Sequence, residues 1–222
     1  NSFSREDLDE MLPSRENSFF FFVKEPAKWD EFKRRFALTE RSRHAVGDAL
    51  LVKAYSSRRN SDVLIDFVAN IDQAKEVYFE NFSGEKRPCV LAHSKWSCGN
   101  DSWTYIAPQR ALMGDKWQKA NWAHPASMTK THIVFRNSAN ADKVVLGTAF
   151  LESAYRNGGG DAVEVELLAD GKPILSYTNH NVKRYYRFEK ELPAGTKEID
   201  ITFFVRRDGS RHFVFNGYLG KK

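Results

Sequence analysis

The chain has 222 residues, of which 41% are hydrophobic and 14% aromatic, and this composition excludes a disordered protein. Its length suits one large all-β domain or two small ones. The formal net charge of +5 comes from short, separated basic clusters, whereas a dedicated nucleic-acid binder has a denser stripe. Such a balance permits acidic partners, such as uronic-acid polymers or anionic lipid headgroups. No apolar run approaches the roughly 18 residues of a membrane span.

The N-terminal segment is predicted to be largely helical. Residues 1–17 are polar and acidic, which indicates a short helix or a loose arm, and a strand over Phe19–Val23 follows. The segment Pro26–Glu40 predicts one amphipathic helix, because it carries apolar residues at helical spacing, namely Trp29, Phe32 and Phe36. We therefore expect residues 1–45 to form an N-terminal arm and helix. Because the sequence begins with Asn rather than Met, we also expect it to be a piece of a longer protein.

Residues 46–222 are predicted to form an antiparallel β-sandwich of the jelly-roll type, because short apolar or alternating runs recur between turn residues. Pro108 is expected to end one of these strands, since proline cannot donate to a ladder. The spacing allows one elaborated jelly roll or two packed sandwiches divided near residue 127. The predicted strands are Ala49–Tyr55, Val63–Val68, Glu76–Phe82, Trp103–Ala107, Thr131–Phe135, Val144–Leu151, Ala162–Leu168, Pro173–Tyr177, Tyr185–Leu192, Glu198–Val205 and Arg211–Leu219.

The two cysteines, Cys89 and Cys98, lie nine positions apart. The polar stretch between them is typical of a hairpin tip, and a disulfide there would close a short loop, worth roughly 3 kcal/mol in loop entropy. No second cysteine pair is present to complete a zinc site. We expect a disulfide, formed in an oxidising compartment, with two separate buried thiols as the alternative.

Four of the five tryptophans fall within the segment Trp96–Trp122, interleaved with polar side chains. An indole beside hydrogen-bonding groups suits the C–H face of a sugar or a nucleobase, although tryptophan also fills cores without any ligand. Trp117 and Trp122 lie in polar connecting sequence and Trp96 in the cysteine loop, so these three are predicted to bind a ligand from loops. The full set of predicted ligand-binding residues is Trp96, Trp117, Trp122, Tyr105, Arg110, Lys116, Asn121 and His124.

The side chains around the tryptophans predict more about the ligand. Arg110 and Lys116 suit a carboxylated or sulfated sugar through charge-assisted hydrogen bonds, with solvated surface charge as the alternative. Trp103 and Tyr105 are two positions apart, so on a strand they would share one face, either as a flat binding pair or within the core. A second candidate patch, Asn179–Arg187, combines amides, tyrosines and basic residues. Its alternative is an edge strand with protective charges.

The segment Val144–Leu219 resembles the jelly-roll carbohydrate-binding modules, particularly those of the galactose-binding-like and NPCBM type. The resemblance rests on the order of features, which are the Gly-rich loop Asn157–Asp161, the strand Val163–Leu167 leading into Asp170-Gly171-Lys172, and Leu192-Pro193-Ala194-Gly195 before Ile199–Thr202. It implies a glycan-binding sandwich in an extracellular or periplasmic protein. Because such modules share a fold more than binding residues, it transfers no ligand contact.

The sequence therefore predicts non-catalytic binding of a polysaccharide or glycoconjugate, by a module of a larger extracytoplasmic protein. An enzyme acting on the same polymers is one alternative, and single-stranded nucleic-acid binding is another. Jelly-roll polysaccharide lyases resemble the chain in architecture, although their tight motifs are missing. The residues that would supply their chemistry are His124, His132, Tyr105, Arg110 and Gln109.

No cofactor and no catalytic metal are expected, because the six histidines are scattered without ligand spacing. One structural ion is the exception that the sequence allows. The loop Gly158–Asp161, with Glu152 nearby in sequence, offers carbonyl and carboxylate oxygens, which are the ligands of calcium.

Overall fold

The computed structural model describes residues 18–35, 38–56, 62–99, 103–157, 159–209 and 211–222. These residues form seventeen β-strands and two short α-helices, and they belong to two compact units, Asn1–Ser61 and Asp62–Lys222. The arm or helix predicted over residues 1–17 lies outside the described residues, as does Phe36. No helix in the described ranges is long and apolar enough to cross a membrane.

The first unit is a three-stranded antiparallel sheet with one short helix. Strands β1 (Ser18–Val23), β2 (Leu38–Val46) and β3 (Ala49–Ser56) are arranged in the order β1-β3-β2, and helix α1 spans Trp29–Arg35. The helix predicted as far as Glu40 is therefore too long, because Leu38 onward pairs with β3 instead. The unit also extends beyond residue 45, since β3 belongs to this sheet and not to the sandwich.

Trp29 is the centre of the first unit. Its indole is buried with Leu38, Val52 and Ala54, and its Nε1 donates a hydrogen bond of 2.7 Å to Glu40 Oε2. Arg43 donates to both Glu40 oxygens at 2.9 Å. The hydrogen bonds from Arg43 first, and then from the indole, lower the pKa of the Glu40 carboxyl to about 2.

The second unit contains two antiparallel sheets. The larger sheet has the order β15-β12-β17-β10-β9-β8-β7, and β4 pairs with β17. Its strands are β4 (Val63–Asp66), β7 (Val90–Ala92), β8 (Lys95–Ser97), β9 (Tyr105–Met113), β10 (Lys116–Ala123), β12 (Lys143–Phe150), β15 (Tyr185–Glu191) and β17 (Phe213–Gly220). The smaller sheet has the order β14-β13-β16-β11-β5-β6. Its strands are β5 (Glu76–Asn81), β6 (Lys86–Pro88), β11 (Thr129–Arg136), β13 (Val163–Ala169), β14 (Lys172–Asn179) and β16 (Glu198–Val205).

The main hydrophobic core lies between these two sheets and confirms the predicted antiparallel sandwich. Phe213 and Phe215 of the larger sheet are fully buried against Phe203 of the smaller one, with ring centroids 4.9 and 5.2 Å from that of Phe203. Strands from both sides of residue 127 pair with each other, β5 with β11 and β10 with β17. The unit is therefore one sandwich rather than two.

One strand boundary differs from the prediction. Pro108 does not end a strand but lies inside β9, because β8 pairs with β9 only at Tyr105 and Ile106. At Pro108 the described β8 makes no ladder contact with β9, so the missing N–H is tolerated. Trp103 precedes β9 and is 54% exposed, so it belongs neither to the strand nor to the core.

Cys89 and Cys98 form the predicted disulfide, with a Cα–Cα distance of 4.2 Å. Both cysteines are buried in the main core, and the bond spans the hairpin of β7 and β8. His93 and Ser94 form the tip of this hairpin with positive φ angles of 51° and 58°. Such angles are required at both central residues of a type I′ turn.

Removal of the disulfide should weaken the sandwich. We expect the Cys89→Ala/Cys98→Ala variant to lose about 3 kcal/mol of unfolding free energy, because the crosslink no longer restricts the unfolded chain. Urea unfolding of the variant and of the wild type, each with and without reductant, measures the loss. Reductant should lower the stability of the wild type alone. Equal unfolding midpoints for the variant and the wild type without reductant would contradict the prediction.

The Glu40 carboxylate should stabilise the first unit in a pH-dependent manner. Because its folded-state pKa lies near 2, below the ordinary 4.5, the contribution is present above pH 4.5 and is lost as the pH falls through 2. We expect Glu40→Gln to speed hydrogen exchange at Val52 and Ala54 near neutral pH, and the difference from wild type to shrink toward pH 2. Glu25→Gln removes an exposed ion pair with Lys28 and is the matched control, with little expected change.

Candidate functional site

The hairpin of β9 and β10 separates the predicted ligand-binding residues onto two faces. Because strand side chains alternate, Tyr105 and Trp122 share the outer face of the larger sheet, while Arg110 and Trp117 lie on the other face. Ile106 and Ala123 pack into the main core and thereby identify the inner face of the hairpin. The expectation that Trp96, Trp117 and Trp122 occupy loops is therefore wrong, since all three are on strands.

Four aromatic side chains meet on the outer face, and we call them the aromatic row: Tyr105, Trp122, His124 and His212. The ring centroid of Trp122 lies 5.9 Å from that of Tyr105 and 4.8 Å from that of His212. His124 follows at 6.5 Å from Trp122 and 6.1 Å from His212. Cross-strand register explains the contacts, because Trp122 pairs with Ala107 and Val214, which lie two positions after Tyr105 and His212.

Polar groups border the aromatic row. The Lys95 ammonium lies 4.0 Å from the Tyr105 ring centroid, on the side of β8. Gln109 is half-buried and lies diagonally across from Trp122 on the same face of β9. The Ser153 hydroxyl, on helix α2 (Glu152–Asn157), is 2.5 Å from His212 Nδ1 and orients that imidazole.

The exposed part of the row consists of ring surface. Trp122, Tyr105 and His212 are half-buried, whereas His124 is buried. Trp122 Nε1 and His124 Nδ1 are both buried, and neither has a hydrogen-bond partner in the part of the chain that the structure describes. Since the indole N–H points away from solvent, what Trp122 offers to a ligand is the ring itself.

Both imidazoles of the row have pKa values lowered from the ordinary 6.5, which favours their neutral form at pH 7. Burial lowers the pKa of His124 below its ordinary value, and the neighbouring His212 and Arg211 lower it further against an opposing effect of Asp208. Burial also lowers the pKa of His212, with Arg211 adding to the shift. A neutral imidazole has one donor and one acceptor nitrogen, so the row is polar without being charged.

A polar bridge centred on Asn216 and an ion pair at the hairpin tip connect the strands on the outer face. Asn216 of β17 donates to Gln118 Oε1 at 3.0 Å and accepts from the Tyr185 hydroxyl at 3.2 Å. Gly147 is required beneath this bridge, because an added Cβ would lie 2.3 Å from both Asn216 Oδ1 and the Tyr185 hydroxyl oxygen. An ion pair between Asp115 and Lys183 ties the hairpin tip to the chain before β15.

Several predicted site residues are not part of the row. Trp96 packs against the main core and its Nε1 donates to the Ile71 carbonyl at 2.8 Å. Asn121 is fully buried and donates to the Phe67 carbonyl at 2.8 Å. Lys116 begins β10 and is half-buried. The side chains of these three are thus not gathered around Trp122.

The other predicted sites are also dispersed. In the patch over 179–187, Asn179 is buried and donates to Thr148 Oγ1 at 2.9 Å, while Arg184 covers the Tyr186 ring at 4.7 Å. The lyase-type set is divided, because Arg110 is on the opposite face from Tyr105 and His132 lies on β11.

The calcium site predicted in the loop Gly158–Asp161 is not tested by the structure. No group of three or more His, Cys, Asp or Glu side chains within the described ranges could hold a metal ion. Glu152 pairs with Arg156, and Asp161 accepts from Arg207 at 3.3 Å. Gly158 lies outside the described residues. The calcium ion in this loop stays a prediction.

His212 is the member of the row that sequence reasoning missed. The alternation in the strand Arg211–Leu219 could have indicated it, because Phe213, Phe215 and Leu219 all point into the main core. His212 alternates with these residues along the strand and therefore faces outward, as Val214 does. What the pattern lacks is the register that sets β17 beside Trp122.

No family model matches the sequence, and no curated protein matches it significantly. Solved structures with a similar fold include the CBM51-2 and INT domains of Clostridium perfringens ZmpB in complex with GlcNAc, at 11% identity and a TM-score of 0.41. That match covers 83% of this chain and 40% of the other. Tandem CBM51 modules of the Streptococcus pneumoniae family 98 glycoside hydrolase match 78% of this chain and 54% of theirs, at 14% identity and a TM-score of 0.44.

A third similar structure is the CBM51 of a Clostridium perfringens GH95 protein in complex with methyl-galactose, at 10% identity and a TM-score of 0.34. It covers 65% of this chain and 78% of the other. These three similar structures contain carbohydrate-binding modules. At these identities and TM-scores the similarity concerns the sandwich fold alone and transfers no ligand or contact residue to this chain.

Proposed function

We propose that the sandwich Asp62–Lys222 binds a carbohydrate at the aromatic row, without catalysis. One observation supports this above all: the Trp122 ring is half-exposed between Tyr105 and His212, and its N–H is buried. The row therefore presents aromatic carbon to solvent on a rigid sheet. Ring surface of this kind packs against the apolar C–H face of a sugar.

The polar border suits the hydroxyl groups of the same sugar. Gln109 provides a donor and an acceptor next to Trp122. Neutral His212 adds only its Nε2, because its Nδ1 is bonded to the Ser153 hydroxyl. Lys95 adds donors beside Tyr105. A sugar hydroxyl both donates and accepts, so uncharged planar side chains match it well. A neutral glycan is the ligand that this border fits best.

The disulfide supports a location outside the cytoplasm. Cys89 and Cys98 are bonded, and such bonds persist in oxidising compartments. A glycan-binding module in an extracytoplasmic protein meets polysaccharides or glycoconjugates directly. We therefore propose that this chain functions at the cell surface, in the periplasm or in the medium.

Truncation of the Trp122 side chain should remove the central ring surface of the aromatic row. On a glycan array followed by calorimetry with the best ligand, we expect Trp122→Ala to weaken binding by about 1–3 kcal/mol, the scale of one aromatic stacking contact. Trp103→Ala is the matched control, since Trp103 is exposed outside the row, and it should leave affinity unchanged. Gln109→Ala is a second test with less risk to folding.

Two results would count against this function. Unchanged affinity in both the folded Trp122→Ala and Gln109→Ala variants would remove the row as the site. New reducing or unsaturated ends during incubation with the ligand would replace binding alone with catalysis.

Binding at the row should also depend on pH. Burial places the pKa values of His124 and His212 below 6.5, so affinity and the stabilising contribution of both groups are complete above pH 6.5. Both are lost as the pH falls through the folded-state values, because an imidazolium loses its acceptor and is costly to bury. Titration calorimetry from pH 8 to 5 should show a plateau and then weaker binding.

His212→Gln isolates the imidazole in that experiment. Glutamine keeps a donor and an acceptor but does not titrate, so its profile below pH 6.5 should be flatter than that of the wild type. Trp103→Ala should reproduce the wild-type profile. Equal wild-type affinities at pH 5 and pH 7 would refute the pH dependence.

A further inference from the structure

The other face of the β9–β10 hairpin carries an unneutralised pair of cations. Arg110 and Lys119 lie directly opposite each other in the cross-strand register, and both are exposed. Like charges in directly opposite positions destabilise an antiparallel pair. Among the described residues neither side chain forms an ion pair, whereas Asp115 at the hairpin tip is paired with Lys183. No acidic side chain of the described ranges therefore offsets the repulsion between Arg110 and Lys119.

An exposed indole adjoins these cations. Trp117 is 65% exposed, pairs with Leu112 across the hairpin, and lies two positions before Lys119 on the same face. Arg110 is diagonal to it, at a separation that long side chains bridge. We call Arg110, Leu112, Trp117 and Lys119 the hairpin face. It combines ring surface with two positive charges that form no ion pair with any described side chain.

We infer that the hairpin face binds a sugar polymer bearing carboxylate groups, a uronate, as a second site on this sandwich. A uronic acid joins the two chemistries that the hairpin face offers, an apolar C–H face for Trp117 and a planar carboxylate for the cations. The Arg110 guanidinium forms two parallel hydrogen bonds to a carboxylate, and Lys119 adds a point charge to the next sugar.

The charge distribution favours a uronate over a nucleic acid. Only two free cations and one exposed ring lie on this face of the hairpin, whereas single-stranded nucleic acids need a basic groove with several stacking rings. The site is separate from the aromatic row, because Trp117 and Trp122 point to opposite faces of β10. Failure at one site therefore leaves the other measurable.

The test is titration of the full chain with four probes: polygalacturonate, dextran sulfate, single-stranded DNA and neutral dextran. Polygalacturonate should bind most tightly, and its affinity should fall with added salt. Arg110→Gln and Lys119→Gln should each weaken that binding by about tenfold or more, the scale of a hydrogen bond between charged groups. Trp117→Ala should have a similar effect, and Arg110→Lys an intermediate one because the charge stays while the two-pronged geometry is lost.

Two matched variants control for general charge loss. Arg136→Gln and Lys190→Gln each remove one exposed cation elsewhere on the sandwich, and polygalacturonate binding should remain within about twofold of wild type. Trp122→Ala should leave polygalacturonate binding intact, even where it abolishes binding of a neutral glycan. All variants on the hairpin face should unfold at or above the wild-type temperature, because the substituted side chains are exposed and the loss of either Arg110 or Lys119 relieves their repulsion.

Three outcomes would overturn the inference. Tighter binding of dextran sulfate or single-stranded DNA than of polygalacturonate would assign the hairpin face to a different anion. Equal losses in Arg110→Gln and Arg136→Gln would reduce the effect to net charge. Loss of polygalacturonate binding in folded Trp122→Ala would move the uronate to the aromatic row.

Discussion

The short pairing of β10 with β17 is the interaction on which both candidate surfaces depend. It joins Asn121–Ala123 to Phe213–Phe215, and the buried hydrogen bond from Asn121 to the Phe67 carbonyl fixes it in place. This pairing brings His212 beside Trp122, although ninety positions separate them in the chain. Between Trp117 and Asn121 the strand β10 has no ladder pairing with β17, and Trp117 is exposed.

One hairpin thus offers two different chemistries. On its outer face, burial keeps His124 and His212 neutral, and the row combines ring surface with uncharged donors and acceptors. On its other face, Arg110 and Lys119 remain charged beside Trp117. The separation has a simple cause, which is that adjacent residues of a strand point to opposite sides of the sheet. Neutral and anionic sugars would therefore bind to different faces of the same two strands.

Much of the fold could be predicted because its signals are local. Strict alternation in Val163–Ala169 indicates a strand with one buried face, and Asp170-Gly171 indicates the tight turn that follows, where both residues have positive φ. The cysteine spacing around a polar tip correctly predicted the disulfide. The end of the helix at Arg35 was predicted wrongly, since the helix was expected to reach Glu40, whereas Leu38 onward forms a strand by pairing with β3. A distant partner outweighs local propensity there.

The sequence by itself determined the all-β class and the disulfide, and it singled out Tyr105, Trp122 and His124 but not His212, because composition, alternation and turn residues act over a few neighbours. Only the tertiary structure decided that Trp122 joins Tyr105 and His212 while Trp96 and Asn121 support the core. Register between distant strands sets those contacts, and a shift of one residue would exchange the two faces. Such a choice depends on the packing of the whole sandwich and cannot be read from a stretch of polar and aromatic residues.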